Sequence, residues 1–208
     1  MAQIYQTIDE KILRLISKTL SGGGVIAFPT ETVYALAADA TNDEAVNKIY
    51  DLKGRDKCKP LSLLMGSMYQ ASQVVEINEK AEKLALRFMP GPLTIVLRKK
   101  PGSIISKYVN VSSDKIGIRM PAHLVTLKIL KAFGRPIIGT SANISGNNGD
   151  AIDPFKVMEN FRDIDLILNL GRTEYQDFST VVDVSEPEIS ILREGVIPAE
   201  TILNYLED

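Results

Sequence analysis

The alternation of apolar and polar residues divides the chain into short helices and strands. Residues 9–20 place apolar side chains at helical spacing, which predicts a helix with one core-facing side. Further helices are predicted over residues 45–52, 79–88, 122–133 and 154–162 and after Pro198. Apolar runs predict strands at residues 25–28, 60–65, 93–97, 116–120, 136–139, 166–169, 180–184 and 189–192.

The order of these elements predicts the fold class. Helices and strands alternate in the first part of the chain and strands cluster in the last part, which favours an α/β fold with a twisted, mixed sheet flanked by helices. The 208 residues contain no linker-like segment, and 45% of them are hydrophobic. We therefore expect a single domain over residues 1–208 with a sizeable core.

A polar loop follows the first long strand. Pro29 lacks the N–H that a β-ladder needs, so the strand over residues 25–28 should end at Thr30-Glu31-Thr32. Two hydroxyls and a carboxylate at a strand end are typical of ligand sites in open α/β folds. A simple polar turn is the alternative.

Basic residues occupy every second position after the helix that is predicted over residues 45–52. These are Lys53, Arg55, Lys57 and Lys59. In an extended segment all four would point to one side, where they could bind a polyphosphate. A solvated basic loop is the alternative.

The remaining polar groups limit the chemistry. The chain has neither a GxxxxGK[ST] run nor a GxGxxG after a strand, and its one histidine and one cysteine make a zinc site improbable. We predict a capping role for His123 and no nucleophilic role for Cys58. Such a set of hydroxyls, amides and cations suits a reaction in which bound substrates attack each other, with phosphoryl or nucleotidyl transfer as the leading class.

Charge and composition also predict the compartment. The net charge of −2 means that an anion site must be a local patch. A single cysteine fits a reducing environment. Because the chain shows neither a leader-like start nor about 18 consecutive apolar residues, we predict a cytoplasmic protein without membrane contact.

Seven motifs together resemble the YrdC-like superfamily, whose best-understood members are threonylcarbamoyl-AMP synthases. In chain order they are 29-PTETVYAL-36, 53-KGR-55 with 59-KPL-61, 90-PGPLT-94, 119-RMPAH-123, 141-SANISG-146, 179-STV-181 and 192-LREG-195. Each motif alone is weak, and their shared order carries the resemblance.

The resemblance implies a concave pocket and a reaction of L-threonine, bicarbonate and ATP that gives threonylcarbamoyl-AMP and pyrophosphate. ATP would be a substrate and would bring Mg²⁺ with it, so no metal site on the protein is expected. The product would serve threonylcarbamoyladenosine formation in tRNA. Downstream threonylcarbamoyl transferase proteins, and contact with tRNA or double-stranded RNA, are the implied partners.

The resemblance also implies roles on the phosphate side of the pocket. Lys53 and Arg55 would hold the phosphates of ATP and stabilise the departing pyrophosphate. Lys59 would assist them, and Arg193 would complete the phosphate clamp. Lys115 would be a further neighbour of ATP.

Roles on the amino-acid side follow in the same way. Ser141 and Asn143 would position the nucleotide and the reacting groups. Thr32 and Ser179 would hydrogen-bond threonine, and Arg119 would pair with its carboxylate.

One departure from the family pattern bears on specificity. Many members have a histidine where this chain has Leu64, so one contact to the amino acid could be missing. The alternative function is that of a non-synthase, YciO-like paralogue that binds RNA or nucleotides through the basic stretch over residues 53–59. That stretch has no stacking aromatic residues among its cations.

Overall fold

The computed structural model describes residues 1–207, and it describes Asn148 by its backbone only. Asp208, the last residue of the predicted domain, lies outside the described residues. Within that range ten strands form one sheet in the order β1-β8-β2-β3-β7-β4-β6-β5-β9-β10. The strands are β1 (Gln3–Tyr5), β2 (Ile26–Pro29), β3 (Tyr34–Asp39), β4 (Ser62–Leu64), β5 (Leu93–Arg98), β6 (Lys115–Arg119), β7 (Ile137–Ser141), β8 (Leu166–Leu168), β9 (Thr180–Asp183) and β10 (Ser190–Arg193).

Helices cover both faces of this sheet. They are α1 (Glu10–Ser21), α2 (Asp43–Lys53), α3 (Met68–Ser72), α4 (Glu79–Phe88), α5 (Leu124–Phe133), α6 (Pro154–Asn160) and α7 (Ala199–Glu207), with a 3-10 helix at Asn148–Ile152. One core cluster joins α1 and α5 to β2, β7 and β8, and a larger cluster joins α2, α4 and α7 to the opposite face. Each cluster buries apolar side chains from both layers, which stabilises the sheet between them.

The predicted fold class is confirmed. Four strand pairs are parallel and five are antiparallel, so the sheet is mixed, and helices flank it as expected. The same arrangement explains why strands clustered late in the sequence: β9 and β10 form an antiparallel pair that adds to β5 at one end of the sheet.

The sequence analysis missed strand β3. Its segment Tyr34-Ala35-Leu36-Ala37-Ala38 is rich in alanine, which has a low propensity for strands. The strand forms because it is fully buried between β2 and β7, where tertiary pairing outweighs local propensity. As a result, Thr30-Glu31-Thr32 lies in a β-hairpin between β2 and β3 and not in a strand-to-helix loop.

The N-terminal caps of α2 and α5 differ in how well the sequence predicts them. Residues 41–44 read Thr-Asn-Asp-Glu, a pattern that predicts a capping box starting at Thr41. That prediction is wrong, because the first turn of α2 is capped by Asn42, whose Oδ1 accepts from the N–H groups of Glu44 and Ala45. The hydroxyl of Thr41 instead donates to Asp39. The capping role of His123 is confirmed, because its ring accepts a hydrogen bond from the N–H of Thr126 at the start of α5.

The basic segment after α2 is not extended. Lys53 is the last residue of α2, and Gly54 ends the helix in the left-handed conformation with φ 56°. The four cations therefore do not form one row, because a helical and a looped segment lack the alternation of a strand. Lys53 is buried, whereas Lys57 and Lys59 are exposed to solvent.

Small residues form a groove on one face of the sheet. The strand register places Gly139 of β7, Ser62 of β4 and Gly117 of β6 side by side. A Cβ on Gly139 would lie 2.3 Å from the Cγ of Leu64, and a Cβ on Gly117 would lie 2.9 Å from the Oγ of Ser62. Glycine at these two positions therefore makes room for the Leu64 and Ser62 side chains, which lie over the sheet surface at this point.

Candidate active site

A polar pocket lies over this groove. Its floor includes Ser62, Gly139 and Ser141 of neighbouring strands, and three guanidinium groups surround it, those of Arg55, Arg119 and Arg193. Among the described residues that line the pocket there is no Asp or Glu. The pocket therefore has the charge of an anion-binding site.

Arg119 ends strand β6 and forms a buried ion pair. Its Nη2 lies 2.8 Å from Oε1 of Glu31, and the two side chains are 8% and 2% exposed. Its Nε also donates to the carbonyl of Gly91 at 3.2 Å. Burial lowers the pKa of Arg119, and the Glu31 carboxylate opposes that shift. The sequence analysis named Glu31 in its polar loop without a partner, and the structure places its carboxylate against Arg119, outside the lining of the pocket.

Arg193 and Ser179 meet at the side of the pocket formed by β9 and β10. Arg193 donates to the Ser179 carbonyl from Nε at 3.1 Å and from Nη2 at 2.8 Å, and its guanidinium lies 5.0 Å from the Phe178 ring centroid. The Ser179 hydroxyl is 2.9 Å from the hydroxyl of Thr94. Burial, followed by the nearby Arg119 charge, lowers the pKa of Arg193. These contacts fix the guanidinium in place.

Arg55 lies in the loop that follows α2. Its Nη2 donates to the carbonyl of Pro60 at 3.0 Å, and its Nε donates to the carbonyl of Lys59 at 3.3 Å. The side chain of Lys59 itself is exposed and does not line the pocket. The loop thus bends around Arg55 and places its guanidinium at the pocket. Arg55 is one of the four cations that were predicted to bind a polyphosphate.

Lys53 is buried beside the pocket and does not line it. Its Nζ donates to the carbonyls of Ser141 at 2.5 Å and of Asn143 at 2.6 Å, and its own carbonyl accepts from the N–H of Ser145 at 3.0 Å. Burial, with a smaller effect of the Arg55 guanidinium, lowers the pKa of Lys53 to about 7. The ammonium group therefore joins the end of α2 to the 141–145 loop.

This loop carries two of the predicted site residues. Ser141 lines the pocket at the end of β7, and Asn143 is 3% exposed behind it. The side-chain amide of Asn143 donates to the carbonyl of Ile144 at 2.8 Å, and its Oδ1 accepts no hydrogen bond within the described residues. An orphan buried acceptor is costly, which fits a partner supplied by a ligand or by water.

The β2–β3 hairpin presents its threonines through a short hydrogen-bonded chain. The Thr30 hydroxyl donates to the carbonyl of Val33 at 2.7 Å and lies 2.8 Å from the hydroxyl of Thr32. Because the Thr30 proton is used by Val33, Thr32 is the donor of that pair. Thr30 lines the pocket, whereas Thr32 is fully buried behind it.

The segment between β8 and β9 closes over this hairpin. The Tyr34 hydroxyl donates to the carbonyl of Gly171 at 2.7 Å and accepts from the N–H of Leu170 at 3.2 Å. Burial raises the pKa of Tyr34 to about 12, so the hydroxyl stays protonated and keeps the donor role. The N–H of Tyr175 also donates to the carbonyl of Glu31 at 2.8 Å.

Lys115 lies apart from the other predicted site residues. It precedes Arg119 by four positions on β6, so both side chains point to the same face of the sheet. Its Nζ is 3.1 Å from Oδ2 of Asp183 and 3.3 Å from Oε1 of Glu186, and it does not line the pocket. Two carboxylates already compensate this cation.

The fold therefore brings together five of the predicted residues, Arg55, Arg119, Ser141, Ser179 and Arg193, in the lining of one pocket. Thr32, Lys53 and Asn143 form a layer behind it, and Lys59 and Lys115 lie outside it. Thr94 and Phe178, which also line the pocket, were not singled out from the sequence. Thr94 lies within the 90–94 motif, and that motif was the signal that could have identified it.

Two further properties of the described residues concern membranes and metals. None of the helices in residues 1–207 is both long and apolar enough to cross a membrane. The same residues contain no group of three or more His, Cys, Asp or Glu side chains arranged to hold a metal ion.

Comparison with known sequences finds one family and several relatives. A sequence model of the Sua5/YciO/YrdC family, which carries the description telomere recombination, matches residues 18–195. A threonylcarbamoyl-AMP synthase of Pyrococcus abyssi is 37% identical over 200 residues, which cover 96% of this chain and 58% of that relative. A putative threonylcarbamoyl-AMP synthase of Methanocaldococcus jannaschii is 34% identical over 209 residues, which cover 96% of this chain and 95% of that relative.

Comparison with solved structures agrees. The crystal structure of P. abyssi Sua5 complexed with L-threonine matches with a TM-score of 0.92 at 37% identity, covering 98% of this chain and 61% of that one. Escherichia coli YciO matches with a TM-score of 0.87 over 97% of this chain and 100% of its own, but at 22% identity this likeness shows the fold alone.

Proposed function

This chain belongs to the Sua5/YciO/YrdC family, as its motifs predicted, and we propose that it is a threonylcarbamoyl-AMP synthase. One observation carries the proposal: Arg55, Arg119 and Arg193 converge with hydroxyl groups on a single pocket whose described lining has no carboxylate. That pocket suits a polyphosphate and an α-carboxylate together. The Pyrococcus abyssi and Methanocaldococcus jannaschii relatives, whose names give the activity, support it.

The proposed reaction needs position and charge stabilisation more than a protein nucleophile. The amine of L-threonine combines with bicarbonate to give a carbamate and water. A carbamate oxygen then forms a bond to the α-phosphorus of ATP, and the bond from that phosphorus to the bridging oxygen breaks, so pyrophosphate leaves with its electron pair. In the described structure His123 serves as a helix cap and Cys58 is exposed outside the pocket, so neither is placed to attack.

We assign the phosphates to the two pocket arginines that form no salt bridge with any carboxylate of the described residues. Arg55 and Arg193 are held by carbonyl oxygens, which leaves their positive charge available to the triphosphate. This arrangement would stabilise the charge that develops on pyrophosphate as it leaves. The phosphate contacts expected of Lys59 and Lys115 remain predictions, because neither side chain lines the pocket.

Lys53 acts on the reaction through the backbone. Since Nζ binds the carbonyls of Ser141 and Asn143, it holds the loop on which both residues lie. Ser141 would then contact the nucleotide from the pocket lining, and Asn143 would offer its unpaired Oδ1 from behind. The direct phosphate contact predicted for Lys53 gives way to this positioning role in our proposal.

The amino acid would bind between the hairpin and the end of β6. Arg119 would pair with the carboxylate of threonine, and Ser179 would hydrogen-bond a polar group of the substrate. Thr32 is fully buried behind Thr30 and donates to it, so the contact with threonine predicted for Thr32 stays a prediction, and in this arrangement Thr32 would act through the Thr30 hydroxyl. Leu64 lines the pocket at the position where the resemblance implies a histidine, so we expect recognition of the threonine hydroxyl to rest on Ser179, with Thr32 behind Thr30.

Further components of the reaction stay predictions. Mg²⁺ would accompany the triphosphate, because this ion is usually held by substrate phosphates, a few carboxylates and water. Contact with tRNA or double-stranded RNA and delivery to threonylcarbamoyl transferase proteins follow from the proposed product and stay predictions with it.

A direct assay tests the proposal. Purified protein with ATP, bicarbonate and L-threonine should release pyrophosphate and form the mixed anhydride, and omission of threonine or bicarbonate should stop both. Pyrophosphate release that is independent of threonine, or none while ATP binds, would favour the YciO-like alternative.

The Arg119→Met variant tests the amino-acid site within the same assay. Threonine-dependent turnover should be lost while ATP binding stays close to that of the wild type, because the cations assigned to the phosphates are untouched. Loss of ATP and threonine binding together, with an unchanged melting temperature, would place Arg119 in the phosphate clamp and would contradict the assignment.

A further inference from the structure

The three arginines of the pocket differ in how their charges are compensated. Arg119 has a buried acidic partner, because Oε1 of Glu31 lies 2.8 Å from its Nη2. Arg55 and Arg193 have no carboxylate within salt-bridge distance in the described part of the chain, and their protein partners are uncharged oxygens. One side of the pocket is therefore close to neutral, and the other carries two cations without a salt bridge, of which Arg193 is attracted by Asp177 at longer range.

Glu31 is unusual for an acidic residue because it is 2% exposed and depends on one cation. Neither of its carboxylate oxygens accepts a well-aligned hydrogen bond from any residue in the described range, and the Arg119 contact is its one ion pair there. A buried carboxylate without hydrogen bonds is costly, and a hydrophobic residue would often serve the fold as well. The charge of Glu31 therefore calls for a reason beyond packing.

We propose that Glu31 is a specificity-determining residue that reserves the Arg119 end of the pocket for a singly charged carboxylate. The inference rests on the proposed function, in which a polyphosphate and a zwitterionic amino acid must occupy the same pocket. Against an amino acid, which is neutral overall, the Glu31–Arg119 pair presents no net charge. Against a polyphosphate, the Glu31 carboxylate adds repulsion, so the phosphates are directed to Arg55 and Arg193.

Glu31 acts through Arg119 and is thus a positioning residue as well. Arg119 donates one hydrogen bond, from Nε to the Gly91 carbonyl, and its Nη2 lies 2.8 Å from Glu31, so a hydrogen bond and an ion pair together restrict the guanidinium. Its Nη1 makes none of the hydrogen bonds described for the structure. A planar group held in this way presents a defined edge to a carboxylate.

Titration calorimetry with inorganic pyrophosphate and with L-threonine tests the proposal. Glu31→Gln keeps the size of the side chain and removes its charge. We expect the ratio of pyrophosphate affinity to threonine affinity to rise at least tenfold, and pyrophosphate to compete with threonine in the variant. Glu31→Asp, which keeps the charge, should stay within about threefold of the wild-type ratio. If the ratio of pyrophosphate affinity to threonine affinity in Glu31→Gln equals that of the wild type, the proposal is overturned.

The double variant Glu31→Gln/Arg119→Met tests whether phosphates bind apart from Arg119, and it does so even if the single glutamine variant fails to fold. It removes both charges together, so no buried charge is left unpaired. Pyrophosphate affinity should stay within about threefold of the wild type, because the phosphates do not use Arg119. A loss of tenfold or more would show that Arg119 binds phosphate and would refute the charge partition.

The two proposals fail in different ways. Wild-type protein that binds pyrophosphate but not threonine would contradict the proposed function, while the pyrophosphate arm would still measure the effect of Glu31. Normal threonine binding with an unchanged affinity ratio in Glu31→Gln would leave the proposed function in place and reject the role of Glu31.

Discussion

Replacing Lys53 with methionine should change how the stability of this protein depends on pH. The wild-type side chain places an amine among backbone carbonyls, where burial lowers its pKa from 10.5 to about 7. In the unfolded chain the same amine keeps its proton up to about pH 10.5. Between these values the unfolded state binds one more proton than the folded state, so the wild-type stability rises with pH.

The magnitude follows from the size of the pKa difference. Each unit corresponds to about 1.4 kcal/mol, so the wild type should gain on the order of 3 to 4 kcal/mol relative to Lys53→Met between pH 7 and pH 10. Below pH 7 both states hold the proton, and the difference should level off. Absolute stability at one pH is less informative. Methionine leaves the Ser141 and Asn143 carbonyls without a donor, at about 1–3 kcal/mol each, but it also avoids burying an amine.

Urea unfolding at pH 6 to 10 measures this effect. Lys59→Met is the matched control, since Lys59 is an exposed lysine of the same segment, and its curve should run parallel to the wild type. Parallel curves for the wild type and Lys53→Met would mean that the folded-state pKa of Lys53 is not lowered, and the reasoning from its burial would fail.

Three other variants test separate features. Arg55→Ala should weaken binding of a non-hydrolysable ATP analogue by on the order of 1.5–3 kcal/mol in calorimetry. Lys57→Ala should change this binding little, because the wild-type Lys57 Nζ binds Asn47 outside the pocket; equal small losses for both variants would refute the phosphate role of Arg55. Gly139→Ala should cost about 1–3 kcal/mol of unfolding free energy because its Cβ would overlap Leu64. Combined with Leu64→Ala, the total loss should be smaller than the sum of the two single losses; no cost of Gly139→Ala would mean that the groove can relax. Burial lowers the pKa of His123, so the stability that its helix cap contributes, about 1 kcal/mol, should be lost as the pH falls below 6.5. Thermal melts of His123→Asn from pH 7 to 5 should lack this loss; the same pH dependence in the wild type and the variant would contradict the prediction.

Local patterns in the sequence were sufficient for most of the secondary structure. The apolar spacing of residues 9–20 predicted α1, and the pattern of residues 79–88 predicted α4. These signals depend on neighbours along the chain, so they can be read without the fold. Strand β3 could not be predicted from such local signals, because its alanine-rich segment forms a strand only when it pairs with β2 and β7.

The motifs also identified the loops that form the pocket, because each motif carries its polar side chains at fixed short spacing. Arg55, Arg119, Ser141, Ser179 and Arg193 all line it. Sequence could not assign their partners, since those are far apart along the chain. The Lys53 ammonium reaches carbonyls about ninety residues away, and this turns an apparent phosphate ligand into a support for the 141–145 loop.

The charge balance of the site was likewise decided by tertiary structure. Sequence counts gave a net charge of −2 for the chain and a row of cations near α2. The fold buries Lys53, leaves Lys57 and Lys59 in solvent, and places Glu31 against Arg119. Composition and spacing determine which charged groups a chain has, but the energy of each charge depends on its burial and on the partner that folding brings within a few ångströms, about 3 Å for Glu31 and Arg119.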